Sequence, residues 1–180
     1  MGRVNAGSEM IRSLQKGVEK LGNGKQFMEA CARELAARLL SLVIRRTPVG
    51  EEVMYTDKKG ETRIAYTGGT LRRGWTAKTE TEAEIWAGNS PGEKEIEEFV
   101  KGLMIEKVGG AYQITVINPV KYAGYVEYGH RTRERKDGTR GWVNGQYMLT
   151  ISEHQLSDIA PSLLENKLRT FLSEVFRDGN

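Results

Sequence analysis

What the chain lacks narrows the possibilities first. Its 180 residues include one cysteine, Cys31, which excludes an internal disulfide framework and a multi-thiolate zinc site and agrees with synthesis in a reducing, cytoplasmic compartment. Two histidines, His130 and His154, are too few to join one distant thiol in the three or four donors a metal site needs, so neither metal nor cofactor is expected. Long apolar runs are missing as well. Leu39 to Ile44 is interrupted by Ser41 and falls far below the roughly 18 residues of a membrane span. No apolar stretch of signal-peptide length follows Arg3, and Ala6 stands where N-myristoylation requires Ser or Thr, so no targeting segment is expected. Excess charge of one sign is also absent. The 27 basic and 24 acidic side chains leave a net charge of +3, which excludes strong bulk attraction to DNA or membrane.

What is present is enough to fold. Leu, Ile, Val and Phe together number 40, just above the disorder-prone range, and the length favours one domain spanning residues 1–180 with little core to spare. Charge is unevenly placed: residues 1–50 carry 9 basic and 4 acidic side chains, 51–110 carry 9 and 12, and 111–180 carry 9 and 8. An acidic middle therefore lies between basic ends.

Periodicity predicts the elements. Ile11, Leu14, Val18 and Leu21 after Ser8 predict a short first helix, and Gly22-Asn23-Gly24 makes residues 1–24 a helix plus linker. Phe27, Cys31, Leu35, Leu39 and Leu42 predict a long helix that buries one face and stops at Thr47-Pro48, since the residue before proline is driven out of helical geometry. Val53/Tyr55 and Ile64/Tyr66 flank Asp57-Lys58-Lys59-Gly60 and predict a protruding hairpin arm over 51–67. A strand pair is expected at 74–79 and 82–87, a short helix ending at Gly102, and a hairpin about Gly109-Gly110. Arg131, Arg133 and Arg135 alternate with Thr132 and Glu134, so a second arm over 130–142 should point its arginines to one side. Tyr147 to Leu156 reads as helix, and a last helix after Pro161 should bury Leu164, Leu168, Phe171, Leu172 and Val175. The expected class is α+β, with N-terminal helices, a central antiparallel sheet carrying the arms, and C-terminal helices on one face of that sheet.

Most catalytic patterns fail on spacing. Gly24-Lys25 has Glu19 and Gln26 where a phosphate-binding loop requires Gly and Ser/Thr. Cys31 belongs to the buried helix stripe rather than an electropositive pocket. Glu127 and His130 have the spacing of a base and its orienter, yet nothing else converges on them, and a structural turn or an interface accounts for them better. The carboxylates of 93–98 alternate with Lys94 and apolar positions as on a solvated helix face. The arginine arm suits DNA phosphates or an acidic protein surface, and a solvated loop accounts for it as well as those two together. Tyr122, Tyr125, Tyr128 and Trp142 beside these arginines give the aromatic and arginine enrichment of interface cores, with core packing claiming about half of them.

Three stretches, taken in order, resemble a known family. They are Thr47-Pro48-Val49-Gly50, then Gly68-Gly69-Thr70-Leu71-Arg72-Arg73-Gly74-Trp75, then Ile117 to His130 followed by Gly141-Trp142-Val143. This set is similar to the minor tail component family of long-tailed bacteriophages and their prophages, the head-tail joining or tail-completion proteins of the neck, over roughly residues 26–175. Within it, Gly68-Gly69 would open a backbone path closed to other residues, Leu71 would anchor, and Arg72 and Arg73 would face out. The hairpin between Val49 and Gly68 and the segment from Pro91 to Gly102 depart from the commoner pattern.

The resemblance implies a structural virion protein without catalytic site or cofactor, assembled in the bacterial host cytoplasm. It would form a ring of identical subunits, most often a hexamer, between the connector or head-completion protein and the tail tube or tail terminator. Non-specific contact with packaged DNA is implied, and contact with membrane is not. Subunit or partner contacts would be made by Arg72, Arg73, Trp75, Tyr122, Tyr125, Glu127, Tyr128, His130, Arg131, Arg133, Arg135 and Trp142. A tail terminator capping the tube is the nearest alternative. A small DNA-binding protein using the arginine arm is a remoter one, and an enzyme working through Glu127 and His130 the remotest.

Overall fold

Helix α1 (Gly24–Arg46) is the centre around which the molecule is built. It is seen in a computed structural model that describes residues 24–51, 53–66 and 68–177; the first helix expected on Ile11 to Leu21 lies outside the described residues. Phe27, Cys31, Leu39 and Leu42 are buried as their spacing predicts, but Ala36, Leu40, Val43 and Ile44 are buried too. The helix therefore buries two faces rather than one. Phe27, Met28 and Cys31 meet Leu164, and Leu39 and Leu42 meet Leu156, all on the C-terminal helix. On the other side Leu40, Val43 and Ile44 join the main core with Leu71, Trp75, Ile96, Val100 and Val120.

The C-terminal element is one helix, α6 (Met148–Arg177), with Pro161 inside it. This corrects the expectation of two helices divided at the proline. Leu156, Ala160 and Leu164 are buried at successive fourth positions across Pro161, and packing one continuous stripe against α1 outweighs the lost backbone hydrogen bond. Beyond Leu164 the burial thins: Leu168, Phe171 and Leu172 are half-buried, and the side chain of Val175 is not among the described ones.

Strands occur as three separate antiparallel pairs: β1 (Val53–Thr56) with β2 (Thr62–Tyr66), β3 (Glu106–Val108) with β4 (Ala111–Gln113), and β5 (Gly129–Arg131) with β6 (Trp142–Asn144). All three predicted hairpins form, and the fold is α+β. The expected central sheet does not form among the described residues. One reason is that the stretch predicted as a strand pair is helical instead: α2 (Thr70–Arg73) runs into a 3₁₀ turn (Gly74–Thr76), followed by α3 (Glu80–Ile85). Thr79 starts α3 by accepting from the Glu82 backbone N–H at 3.2 Å, while the Glu82 carboxylate accepts from the Lys78 N–H at 2.8 Å, close to the reciprocal exchange of a capping box. The other reason is that residues 114–117 bond to no strand among the described residues. Ile114 and Val116 pack on the main core while Ile117 stays exposed.

Helix α4 (Glu93–Lys101) covers the remaining side of α1 with Ile96 and Val100 and ends before Gly102, as predicted. Arg33 of α1 donates to the carbonyls of Val100, Lys101 and Leu103. A guanidinium thus gathers the carbonyls at and just past the helix end, where that of Val100 also accepts from the Leu103 N–H at 3.1 Å.

Candidate functional site

The three stretches that carry the family resemblance meet in one buried knot. Thr47, fully buried at the end of α1, donates its hydroxyl to the Val43 carbonyl at 2.7 Å and accepts from Trp75 Nε1–H at 2.7 Å. Its carbonyl accepts from Nε and Nη2 of Arg72 at 3.0 and 2.7 Å. Asn118 closes the knot from the third stretch, donating Nδ2–H to the Leu71 carbonyl at 2.8 Å and accepting from the Val120 N–H at 3.1 Å. Two glycines are dictated by space: a Cβ on Gly68 would stand 1.8 Å from the Gly50 oxygen, and one on Gly74 would stand 2.2 Å from Asn118 Oδ1. Gly69 adds a φ of 101° that side-chain-bearing residues rarely adopt.

This knot corrects the expected display of Arg72 and Arg73. Leu71 is the buried anchor as predicted, but Arg73 is only 8% exposed. Its guanidinium pairs with Glu95 and lies 5.8 Å over the Trp86 ring, while Nη1 is buried without a partner. Arg72 is half-buried on Thr47 and also reaches Ser90 at 3.2 Å. Trp75 is a core residue.

The second constellation lies where α5 (Ala123–Tyr128), β5 and β6 meet the start of α6. Glu127 is buried beneath it, and its carboxylate accepts from the backbone N–H groups of Leu149 and Thr150, both at 2.9 Å, and from the Thr150 hydroxyl at 2.7 Å. A carboxylate there satisfies orphan donors and complements the positive end of a 30-residue helix. No hydrogen bond joins Glu127 to His130, so the base-and-orienter pairing is not assembled. His130 is half-buried with its ring 5.5 Å from that of Tyr125 and its Nδ1 without a partner. Glu153 lies one helical turn further along α6, and burial first, then the Glu127 charge, pushes its carboxyl above the usual range.

Above that buried base the surface is aromatic and basic. Tyr125, Tyr128 and Trp142 are each about 60% exposed, with Val143, Tyr147 and Ile151 also open; Tyr122, by contrast, is half-buried against the main core. Gly129, at φ 83° and ψ 171°, turns the chain from α5 into the arm, and a Cβ there would meet the Val143 oxygen at 2.4 Å. The arm is closed by the Thr132 N–H to the Gly141 carbonyl at 3.0 Å and by Asp137, which accepts from the Thr139 N–H at 2.9 Å and its hydroxyl at 2.6 Å, bonds that hold the Asp137 carboxyl below its ordinary range. Arg140 pairs with Glu134 at 2.8 Å. Arg131, Arg133 and Arg135 are exposed and make no ion pair among the described residues.

Sequence reasoning missed Val143, Tyr147 and Ile151 as parts of this surface, and Ile85 and Trp86 as an exposed apolar pair elsewhere. The i, i+4 spacing of Tyr147 and Ile151 at the start of α6 was the available signal. Cys31 sits in the core, and burial pushes its thiol up to about 11, which makes it a poor nucleophile. Among the described residues no group of three His, Cys, Asp or Glu side chains converges as metal ligands, and no helix is long and apolar enough to cross a membrane.

The comparisons with known proteins bear on this arrangement. No curated protein and no solved structure matches the chain. Residues 8–129 match the HK97-gp10-like family, whose description reads "Bacteriophage HK97-gp10, putative tail-component". The match takes in the whole knot and stops at Gly129, where the arm begins. Because it spans well over half of the chain, the protein belongs to the HK97-gp10-like family of bacteriophage tail components.

Proposed function

We propose that this tail component is a non-catalytic protein of the virion neck, forming a ring of identical subunits, six in number, that joins the connector of the DNA-filled head to the tail tube. One observation carries the reading. The aromatic surface of Tyr125, Tyr128, Trp142 and Tyr147 stands exposed beside three arginines that lack partners within the described residues, a composition that suits an interface core. Exposed large aromatics clustered with arginine mark a contact surface better than a solvated one. Glu127 and the β5–β6 pairing hold this surface rigidly from below, as a docking face requires. Arg131, Arg133, Arg135 and Trp142 are the contact residues in this reading, with packaged DNA as a non-specific neighbour of the arm. Arg73, Trp75 and Glu127 act by keeping the fold.

Deletion of the gene from the phage or prophage, followed by electron microscopy of the induced lysate, tests the proposal. Filled heads beside free tails of normal length are expected. Tails of uncontrolled length would move the protein to the tube terminus, and intact infectious particles would overturn the assignment.

A further inference from the structure

The arm has a counterpart on the same chain. From Glu80 to Glu98 the sequence carries seven carboxylates and one lysine. Three of these are engaged within the chain: Glu80 with Lys121 at 3.0 Å, Glu82 at the start of α3, and Glu95 with Arg73. Glu93, Glu97 and Glu98 are exposed on α4 and have no ion-pair partner among the described residues. Glu93 and Glu97 line a groove of about 380 Å³ between α4 and α1. The basic groups of that groove do not pair with them: Arg38 is held by Glu34 at 2.9 Å and Arg33 by the α4 carbonyls, and Lys101, one turn from Glu97, makes no ion pair among the described residues. At the end of α3, Ile85 and Trp86 are 72% and 54% exposed, and Arg73, which lies over the Trp86 ring and pairs with Glu95, ties this apolar pair to the acidic helix α4.

We infer that the β5–β6 arm of one copy docks on the α3–α4 face of a second copy, Arg133 and Arg135 meeting Glu97 and Glu98. The inference rests on the ring reading and names the contact that closes the ring. Charge complementarity selects the occupant: five basic and two acidic side chains lie between Arg131 and Arg140, opposite in sign to the helix face. The arm makes no ion pair with that face of its own chain. Two unlike surfaces on one chain pair head to tail, and a head-to-tail contact generates a closed ring when its rotation closes. Opposite potentials fix the register and reject wrong pairings.

Charge reversal in the phage, with the chain supplied to a gene deletion, tests this. Glu97→Arg/Glu98→Arg and Arg133→Glu/Arg135→Glu should each lower the yield of infectious particles by about 100-fold, because like charges then face each other across the contact. All four substitutions in one chain should return the yield to within about 10-fold of the original, since the pairs are restored with exchanged sign. Melting curves of the purified variants establish that each still folds. If one does not, the neutral pairs Glu97→Gln/Glu98→Gln and Arg133→Gln/Arg135→Gln replace it, and their losses should be less than additive when combined. Normal yield from either reversal overturns the docking, as does a combined chain no better than its parents or additive losses in the neutral set. The ring reading is judged separately by the deletion: infectious particles without the gene strike that reading, whereas a lethal deletion with harmless reversals strikes only the docking.

Discussion

The knot at Thr47 and the surface above Glu127 are built from the same residue types and use them in opposite ways. In the knot, Arg72 and Arg73 turn inward onto a carbonyl and a carboxylate, and Trp75 is 3% exposed. On the arm side, Arg131, Arg133 and Arg135 point into solvent and Trp142 is 59% exposed. The difference lies in what surrounds them. Gly68 and Gly74 let the backbone close in until the Arg73 guanidinium and the Trp75 indole are buried, whereas Gly129 turns the chain into an arm whose backbone bonds, among the described residues, are those of its own hairpin. Arginine and tryptophan therefore mark an interface only where the backbone does not fold back over them.

This contrast can be broken most severely at the knot. Gly68→Ala forces a Cβ against the Gly50 oxygen and should cost about 3 kcal/mol or more, a fall in melting temperature of roughly 6–12 °C; an unchanged midpoint would remove the close approach from the account. Thr47→Val keeps the volume but leaves Trp75 Nε1–H buried without an acceptor, with an expected loss of about 1–3 kcal/mol in denaturant titration.

At the buried base of the second region the effect should be smaller. Glu127→Gln retains an acceptor for the α6 N-terminus but removes the charge, at about 1 kcal/mol. It should also lower the Glu153 pKa towards its ordinary value, which an NMR titration of the carboxyl would follow. Because the folded-state pKa of Glu153 is raised, the stability tied to its proton is present below the ordinary carboxylate range and lost as pH rises through the folded value. That decline should shrink in Glu127→Gln. Smallest of all for the isolated chain is the triple change of Arg131, Arg133 and Arg135 to Ser, expected to move stability by under about 0.5 kcal/mol while weakening assembly of the particle. A large drop in melting temperature would make the arm part of the fold and erase the contrast between the two regions.

Legibility divided along physical lines. Helix α1, helix α4 with its stop before Gly102, and the three hairpins could be read from the chain, because periodicity and turn glycines act over a few neighbours. Residues 74–87 imitate a strand pair through alternating Ala83, Ile85 and Ala87, although Thr79 and Glu82 carry a helix-start signal. Local propensity makes Pro161 a boundary, since it disfavours proline mid-helix, while the stripe of Leu156, Ala160 and Leu164 that overrides it takes its meaning from the α1 surface it covers. The interior fate of Arg73 was unreadable in the same way, since Glu95 and Trp86 reach it only after α4 and the end of α3 have folded back.

By itself, then, the sequence determined the α+β class, the hairpins, the long N-terminal helix and, through three short stretches in order, the tail-component family. Tertiary structure alone decided that those stretches converge on Thr47, that Glu127 serves a helix end, and which arginines remain free. The reason is one of range: backbone periodicity and turn chemistry are local, but whether a polar side chain is buried or exposed depends on partners supplied by segments tens of residues away.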